Sequence, residues 1–402
     1  ANGDYWVLGP VTIVSITPRS TQVNGRVTNG TMLNPASSFS RTQGLDSALD
    51  YLPSLNVARP RDEDLSAANP LIVPPGSSLL SAISNPTAGA RPQFTDAAVL
   101  TVVEAPPPSG SFRPPYAGNN KTHSWNKASL DYSILRSLPI QPGFPSLSTV
   151  ERYVARPQIE IHTSAFSQFY HPTNNTPNYG REISWNMATA VLSLHFNYTK
   201  AQKERLFIGV VQRGIDIYGC AAYSSGLWLD LDGINSGRKL PLVIAALALN
   251  DPNLLEYADA RRRFIFSEDR QTWVVTQADV GKSVYTADNR IRETYIQEDV
   301  GLPEWGGQHT HANGTRDGRN WETMFYRDIC GTSFVGMILA AHLTRGGRAA
   351  WNWQPLFDYT DRYMRNPIQG SNAVRQIDAA AWANLRPLVS GPSREPTIEI
   401  NR

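Results

Sequence analysis

Residues 169–186 read FYHPTNNTPNYGREISWN and gather His171, Asn174, Asn175, Tyr179 and Arg181 in one loop that feeds an apolar helical pattern. These residue types make a proton-transfer set and an anion-neutralising set. A positioned tyrosine or histidine takes or gives a proton at a reacting atom. Asn, Arg and protonated His donate to an anion, so that negative charge can build up on it. Tyrosine is a poor base at its ordinary pKa of ~10. A neighbouring Arg or His⁺ lowers that value by favouring the phenolate. Tyr179 stands two positions before Arg181 and eight after His171, which makes it the plainest candidate for such tuning. Pro172 and Pro177 hold the stretch out of helix before Arg181. A helix start at that point favours anions through its free N–H groups. The same asparagines would also suit an ordinary capped loop that bonds its own backbone.

Two further groups have comparable chemistry. GLWLDLDGINSGRKLP carries Trp228, Asp230, Asp232, Arg238 and Lys239 just ahead of an apolar helix. Adjacent cations at a helix N-terminus are disfavoured by the dipole, so an anion is expected nearby, from a ligand or a neighbouring carboxylate. The DLDGIN run is a partial calcium loop without the late Glu. GLPEWGGQHTHANGTRDGRNWETMFYRD adds Glu304, Trp305, His309, His311 and Tyr326. His309 and His311 have a zinc-like spacing with no third ligand nearby. His195 and His342 sit in helical patterns and read as structural.

A glycoside hydrolase needs two carboxyl groups flanking the scissile bond. These groups are richer in Tyr, His, Asn, Arg and Trp than in carboxylate pairs. That balance fits β-elimination, in which the proton α to a uronate carboxylate is abstracted while the carboxylate is neutralised. The expected substrate is an acidic, uronate-containing polysaccharide. Tyr179, His171, His309 and His311 are the proton-transfer candidates. Asn174, Asn175, Arg181, Arg238, Lys239, Trp228, Trp305 and Tyr326 are the substrate-binding candidates. This mechanism requires no metal or cofactor. One alternative is an α/α-type glycoside hydrolase using Asp230, Asp232 or Glu304. Another is a non-catalytic glycan-binding protein with Trp228, Trp305 and Trp321 as stacking platforms.

The elements that position these residues follow from periodicity. Over residues 1–113 the pattern is β. YWVLGPVTIVSITP and AAVLTVVEA are rich in β-branched and aromatic residues, and Asn24-Gly25 between valines is a hairpin signal. A β-sandwich-like domain is expected there, followed by an extended Pro/Gly-rich linker at 114–123. From 124 to 402 the period becomes helical. EISWNMATAVLSLHF places Ile183, Met187, Val191 and Leu194 on one face, and KAQKERLFIGVVQRGIDIYG repeats the pattern up to a stop at Gly219. Short connections between helices imply antiparallel hairpins. Closed around an axis, these would give an α/α toroid, complete or incomplete. The fold class is therefore α+β and multidomain.

Composition limits the partners. Lys+Arg 37 against Asp+Glu 35, balanced along the chain, leaves no nucleic-acid patch. No run of 18 apolar residues exists, so no membrane span is expected. The leading Ala is what signal cleavage leaves, and a secreted or periplasmic protein is expected. Cys220 and Cys330 either pair or remain buried thiols.

Helical hairpins together with NNTPNY, INSGRKLP and PEWGGQHTH make residues 124–385 resemble the α/α-toroid polysaccharide lyases, the class of alginate, hyaluronate and heparin lyases. The Asn174-Asn175 pair looks like the asparagine-bearing catalytic loop of some of these enzymes. They often place His directly after the asparagine, where this chain has Thr176. They usually carry their β-sandwich after the toroid, whereas here the β region comes first. The resemblance implies uronate β-elimination with asparagine at the substrate carboxylate.

Overall fold

A computed structural model shows that the chain combines sheets and helices. The structure describes residues 1–35, 43–49, 51–58, 65–122, 124–163, 166–173, 180–223, 228, 235–285, 291–305, 325–365 and 373–389. One sheet is formed by β1 (Tyr5–Leu8), β2 (Gly30–Leu33), β3 (Ser77–Ser84) and β4 (Phe94–Val103), and a small pair by β5 (Thr272–Val274) and β6 (Pro303–Trp305). The helices that bear on the site are α1 (Gly180–Leu194), α2 (Lys200–Tyr223), α3 (Lys239–Leu249), α4 (Pro252–Ala258), α5 (Ser267–Arg270), α6 (Phe325–Leu343), α7 (Gln354–Arg365) and α8 (Gln376–Leu385). By contact the chain forms two compact units. The first takes residues 1–131, 147–178 and 201–227; the second takes 132–146, 179–200 and 228–402.

In the first unit the sheet order is β1-β4-β3-β2. β1 runs parallel to β4 with Trp6 opposite Thr101, and β3 is antiparallel to both neighbours, with Ser78 opposite Thr101. Val73, Leu79 and Val102 form the centre of an apolar cluster, and Val7, Val11, Ile13 and Leu100 pack on it. The expected hairpin is present. Asn24 and Gly25, at φ +50 and +80, join strands Thr21–Val23 and Arg26–Thr28, as a primed turn requires.

Helix α2 belongs to this first unit and is buried from Leu206 to Ala221. Its polar residues are buried in pairs. Asp216 accepts a two-nitrogen fork from Arg113 at 2.5 and 2.7 Å, and Arg213 is ion-paired with Glu160. The Pro/Gly-rich linker is packed at its start rather than free, since Tyr116 and Ala117 are buried. Cys220 is a buried free thiol, and burial pushes its pKa up. The expected helix stop at Gly219 is overturned, because α2 runs on to Tyr223. Gly219 has a packing reason instead: a Cβ there would overlap the Pro115 ring. Gly219→Ala is expected to cost ~1–3 kcal/mol by overpacking. Urea unfolding measures this, and an unchanged midpoint would mean that the Pro115 segment yields.

In the second unit, Ile183, Met187, Val191 and Leu194 of α1 are all fully buried, as their spacing predicts, and α1 packs on α6. α3 ends at Asn250, which adopts φ +48, and the Asp251 side chain then caps α4 by accepting from Asn253 and Leu254. The β-like interruption at Thr272 is the β5–β6 pair, with Thr272 opposite Trp305. Among the described residues no helix is long and apolar enough to cross a membrane.

Candidate functional site

The first turn of α1 carries a polar surface of the second unit. Arg181 and Trp185 are one helical turn apart and therefore neighbours on the helix surface. The Arg181 guanidinium lies 5.3 Å from the centroid of the half-buried Trp185 ring, within cation–π range. Its Nε donates to Glu182 at 3.0 Å. Arg375, at the start of α8, lies 5.3 Å from the same centroid. Arg375 is fixed in place. Its Nε and Nη2 donate to Asp378 at 2.7 and 2.9 Å, and Nη2 also reaches the Trp185 carbonyl and Thr189 Oγ1, each at 3.1 Å. Burial raises the Asp378 carboxyl above its ordinary range, opposed by the Arg375 charge. The outcome is one indole flanked by two guanidiniums held by short-range pairs.

The second sequence group meets this turn through Gly237. Gly237 has φ +92, and a Cβ on it would lie 2.5 Å from the Ser184 backbone nitrogen. Only glycine permits that approach. Ser184 Oγ and Ser236 Oγ are buried here with no hydrogen-bond partner among the described residues. Arg238 and Lys239 follow, both fully buried. The anion expected beside them is a carboxylate of the chain: Lys239 Nζ lies 2.5 Å from Asp269 and donates to the Trp351 carbonyl at 3.0 Å. Asp269 also accepts from Trp351 Nε1 at 2.7 Å. Burial pulls the ammonium down and pushes the carboxyl up, while their mutual attraction opposes both shifts. Lys239 is thus corrected from a substrate contact to a core ion-pair member.

Glu268, next to Asp269, accepts from the Lys239 backbone N–H at 3.4 Å. Its carboxyl is fully buried, and that burial, reinforced by the Asp269 charge, pushes its pKa up to about 7. Glu268 Oε2 has no hydrogen-bond partner among the described residues. A buried carboxyl that titrates near neutrality is a recognised mark of a functional group.

The third group reaches the same region through β5–β6. Trp305 Nε1 donates to Gln271 Oε1 at 3.0 Å, just beyond α5. Glu304 is ion-paired with Arg362 and accepts from Tyr295 at 3.1 Å. It is a packed structural carboxylate.

Other expectations need correction. Trp228 is no stacking platform: it is 1 % exposed and stacks on Phe266 with Phe264 at its edge. Trp305 is equally buried. His171 belongs to the first unit and is fully buried; its Nδ1 accepts from the Thr173 N–H at 3.1 Å. Burial pushes its pKa down to about 3, which makes it a weak base. His195 is structural, as expected, with Nδ1 accepting from the Arg136 N–H and Nε2 3.0 Å from Thr344 Oγ1. Asn174, Asn175, Tyr179, Asp230, Asp232, His309, His311 and Trp321 lie outside the described residues, as does the side chain of Tyr326.

Sequence reasoning missed three residues. Trp185 lies inside the apolar pattern of α1, and its position four after Arg181 is a usable signal. Arg375 and Glu268 had none, since each becomes notable only through residues distant in the chain. Among the described residues no group of three His, Cys, Asp or Glu side chains is placed to hold a metal ion. The chain matches no family model, no curated protein and no solved structure.

Proposed function

We propose that the helical unit is an α/α toroid whose α1 start binds a sugar carboxylate, and that the protein is an exported lyase cleaving uronate-containing polysaccharide by β-elimination. The observation that carries this reading is Trp185 flanked by Arg181 and Arg375. A half-buried indole offers a face or edge to a sugar ring, and arginine suits a planar carboxylate. Tyr179, two residues before Arg181, is the proposed proton-transfer group, with His309, His311 and Tyr326 as the other candidates. Asn174 and Asn175 would neutralise the carboxylate beside Arg181. His171, as a weak base, is set aside.

Glu268 favours one second reading. A carboxylic acid held near pKa 7 is what a glycosidase uses as general acid. An α/α-type hydrolase would pair it with Asp230 or Asp232.

Incubation with a panel of alginate, hyaluronate, heparin and neutral polysaccharides separates the readings. A lyase generates unsaturated-uronate absorbance. A hydrolase generates reducing ends without it. No product on any uronate polymer would overturn the enzymatic proposal. On a cleaved substrate, Arg181→Ala is expected to lower kcat/KM by ~10–100-fold, in keeping with the ~1.5–3 kcal/mol of a charged hydrogen bond. Most of that loss should appear in KM, because the ground-state carboxylate is already bound. Unchanged kinetics would remove Arg181 from the site.

A further inference from the structure

The first unit contains a cleft of about 650 Å³ between the β1–β4 edge and the segment that follows β4. That volume lies within the ~300–1,000 Å³ of small-molecule sites. Trp6 of β1 lines it and is half-buried. Thr101, opposite Trp6 in the sheet register, lines it as well. Thr101 is 1 % exposed, and its Oγ1 has no hydrogen-bond partner among the described residues. Leaving a buried hydroxyl unmatched is unfavourable, so such an atom at a cleft floor points to an outside partner.

The charge of the cleft narrows that partner. Lys121 lines one wall, but its three N–H groups are spent on the carbonyls of Pro115, Tyr116 and Ala117, at 2.6, 3.1 and 3.3 Å. The ammonium therefore braces the wall. Glu104 adds a carboxylate to the lining, and Asn119 an amide. Among the described residues no cation in this lining is left to meet an anionic ligand, while an indole, a hydroxyl, an amide and a carboxylate all suit sugar hydroxyls.

We propose that this cleft binds a short stretch of neutral, hydroxyl-rich glycan, with Trp6 as the apolar contact and Thr101 as the buried partner to one hydroxyl. The proposal does not depend on the lyase reading. Isothermal titration of the whole protein with neutral hexasaccharides (β-glucan, xylan and mannan series) and with an alginate hexasaccharide tests it. At least one neutral series should bind to the wild type. Trp6→Ala should weaken that binding about tenfold or more, as truncation of a buried aromatic anchor does. Asn119 is exposed, so Asn119→Trp should fold normally while its bulk fills the cleft and abolishes binding. Arg181→Ala should leave the neutral binding unchanged, which separates this site from the proposed elimination site. The proposal is overturned if no neutral series binds, if only the uronate binds, or if Asn119→Trp binds as the wild type does.

Discussion

Lys239→Met is expected to lower the unfolding free energy by about 3–5 kcal/mol, the cost of breaking a buried ion pair from one side. Lys239 and Asp269 are both fully buried, so neither can recover solvation when its partner is removed. Met retains most of the apolar stem and loses only the ammonium, which lies 4.9 Å from the Trp351 ring centroid. The loss is therefore electrostatic, since Asp269 loses its cation and is left with neutral donors such as the Trp351 indole N–H at 2.7 Å. The double variant Lys239→Met/Asp269→Leu should regain much of the stability, because two apolar residues need no mutual charge. Urea unfolding of the two single variants and the double variant gives the coupling energy. Additive losses would mean that each residue is held by other neighbours and that the pair contributes nothing as a pair.

This pair also shows where a sequence stops being readable. Two adjacent cations before an apolar helix told of a missing anion. Asp269 lies 30 positions on, in a one-turn helix with no pattern of its own, and nothing local named it. Local rules did well where the physics is local. The period of Ile183, Met187, Val191 and Leu194 named the buried face of α1, and Asn24-Gly25 named its turn. They failed where the cause is a distant neighbour. Gly219 read as a helix stop, but it is small because Pro115 presses on it. Trp228 read as a sugar platform because its flanks looked like loop, yet Phe264 and Phe266 take up its ring. At the candidate site, Arg181 was legible as the cation after a proline-bounded loop. Arg375, which shares its indole, arrives from 194 residues further along, at the start of α8.

Three buried ties link the described segments next to the three polar groups. Gly237 seats the loop before α3 on the Ser184 backbone, Lys239 ties that loop to α5, and Gln271 just after α5 holds Trp305. Each tie is buried, so the first turn of α1 and the α5 carboxylates are held on one rigid support. Rigid support is what a positioned proton-transfer or anion-binding group requires.

Glu268 is the buried carboxyl of that support whose protonation changes near neutrality, and Glu268→Gln is expected to stabilise the protein increasingly as pH rises. The folded-state pKa is raised from 4.5 to about 7. Between those values the folded chain keeps a proton that the unfolded chain has released, so stability falls as pH rises from about 4.5 through about 7. Above that the full loss persists, about 3 kcal/mol from the size of the shift. Gln is close in shape, can still accept from the Lys239 N–H, and does not ionise. The variant should match the wild type near pH 4.5 and exceed it by up to about 3 kcal/mol at pH 8. Every other titrating group is common to both proteins and cancels in the difference. Urea unfolding at pH 4.5, 6, 7 and 8 measures it, and a difference that stays flat with pH would place the Glu268 pKa in the ordinary range. The same variant divides the functional readings. In the lyase reading, with Tyr179 transferring the proton, Glu268→Gln leaves turnover within a few-fold of the wild type. If Glu268 were a general acid, turnover would fall by ~10²–10⁴ and the limb of the pH–rate profile near 7 would disappear.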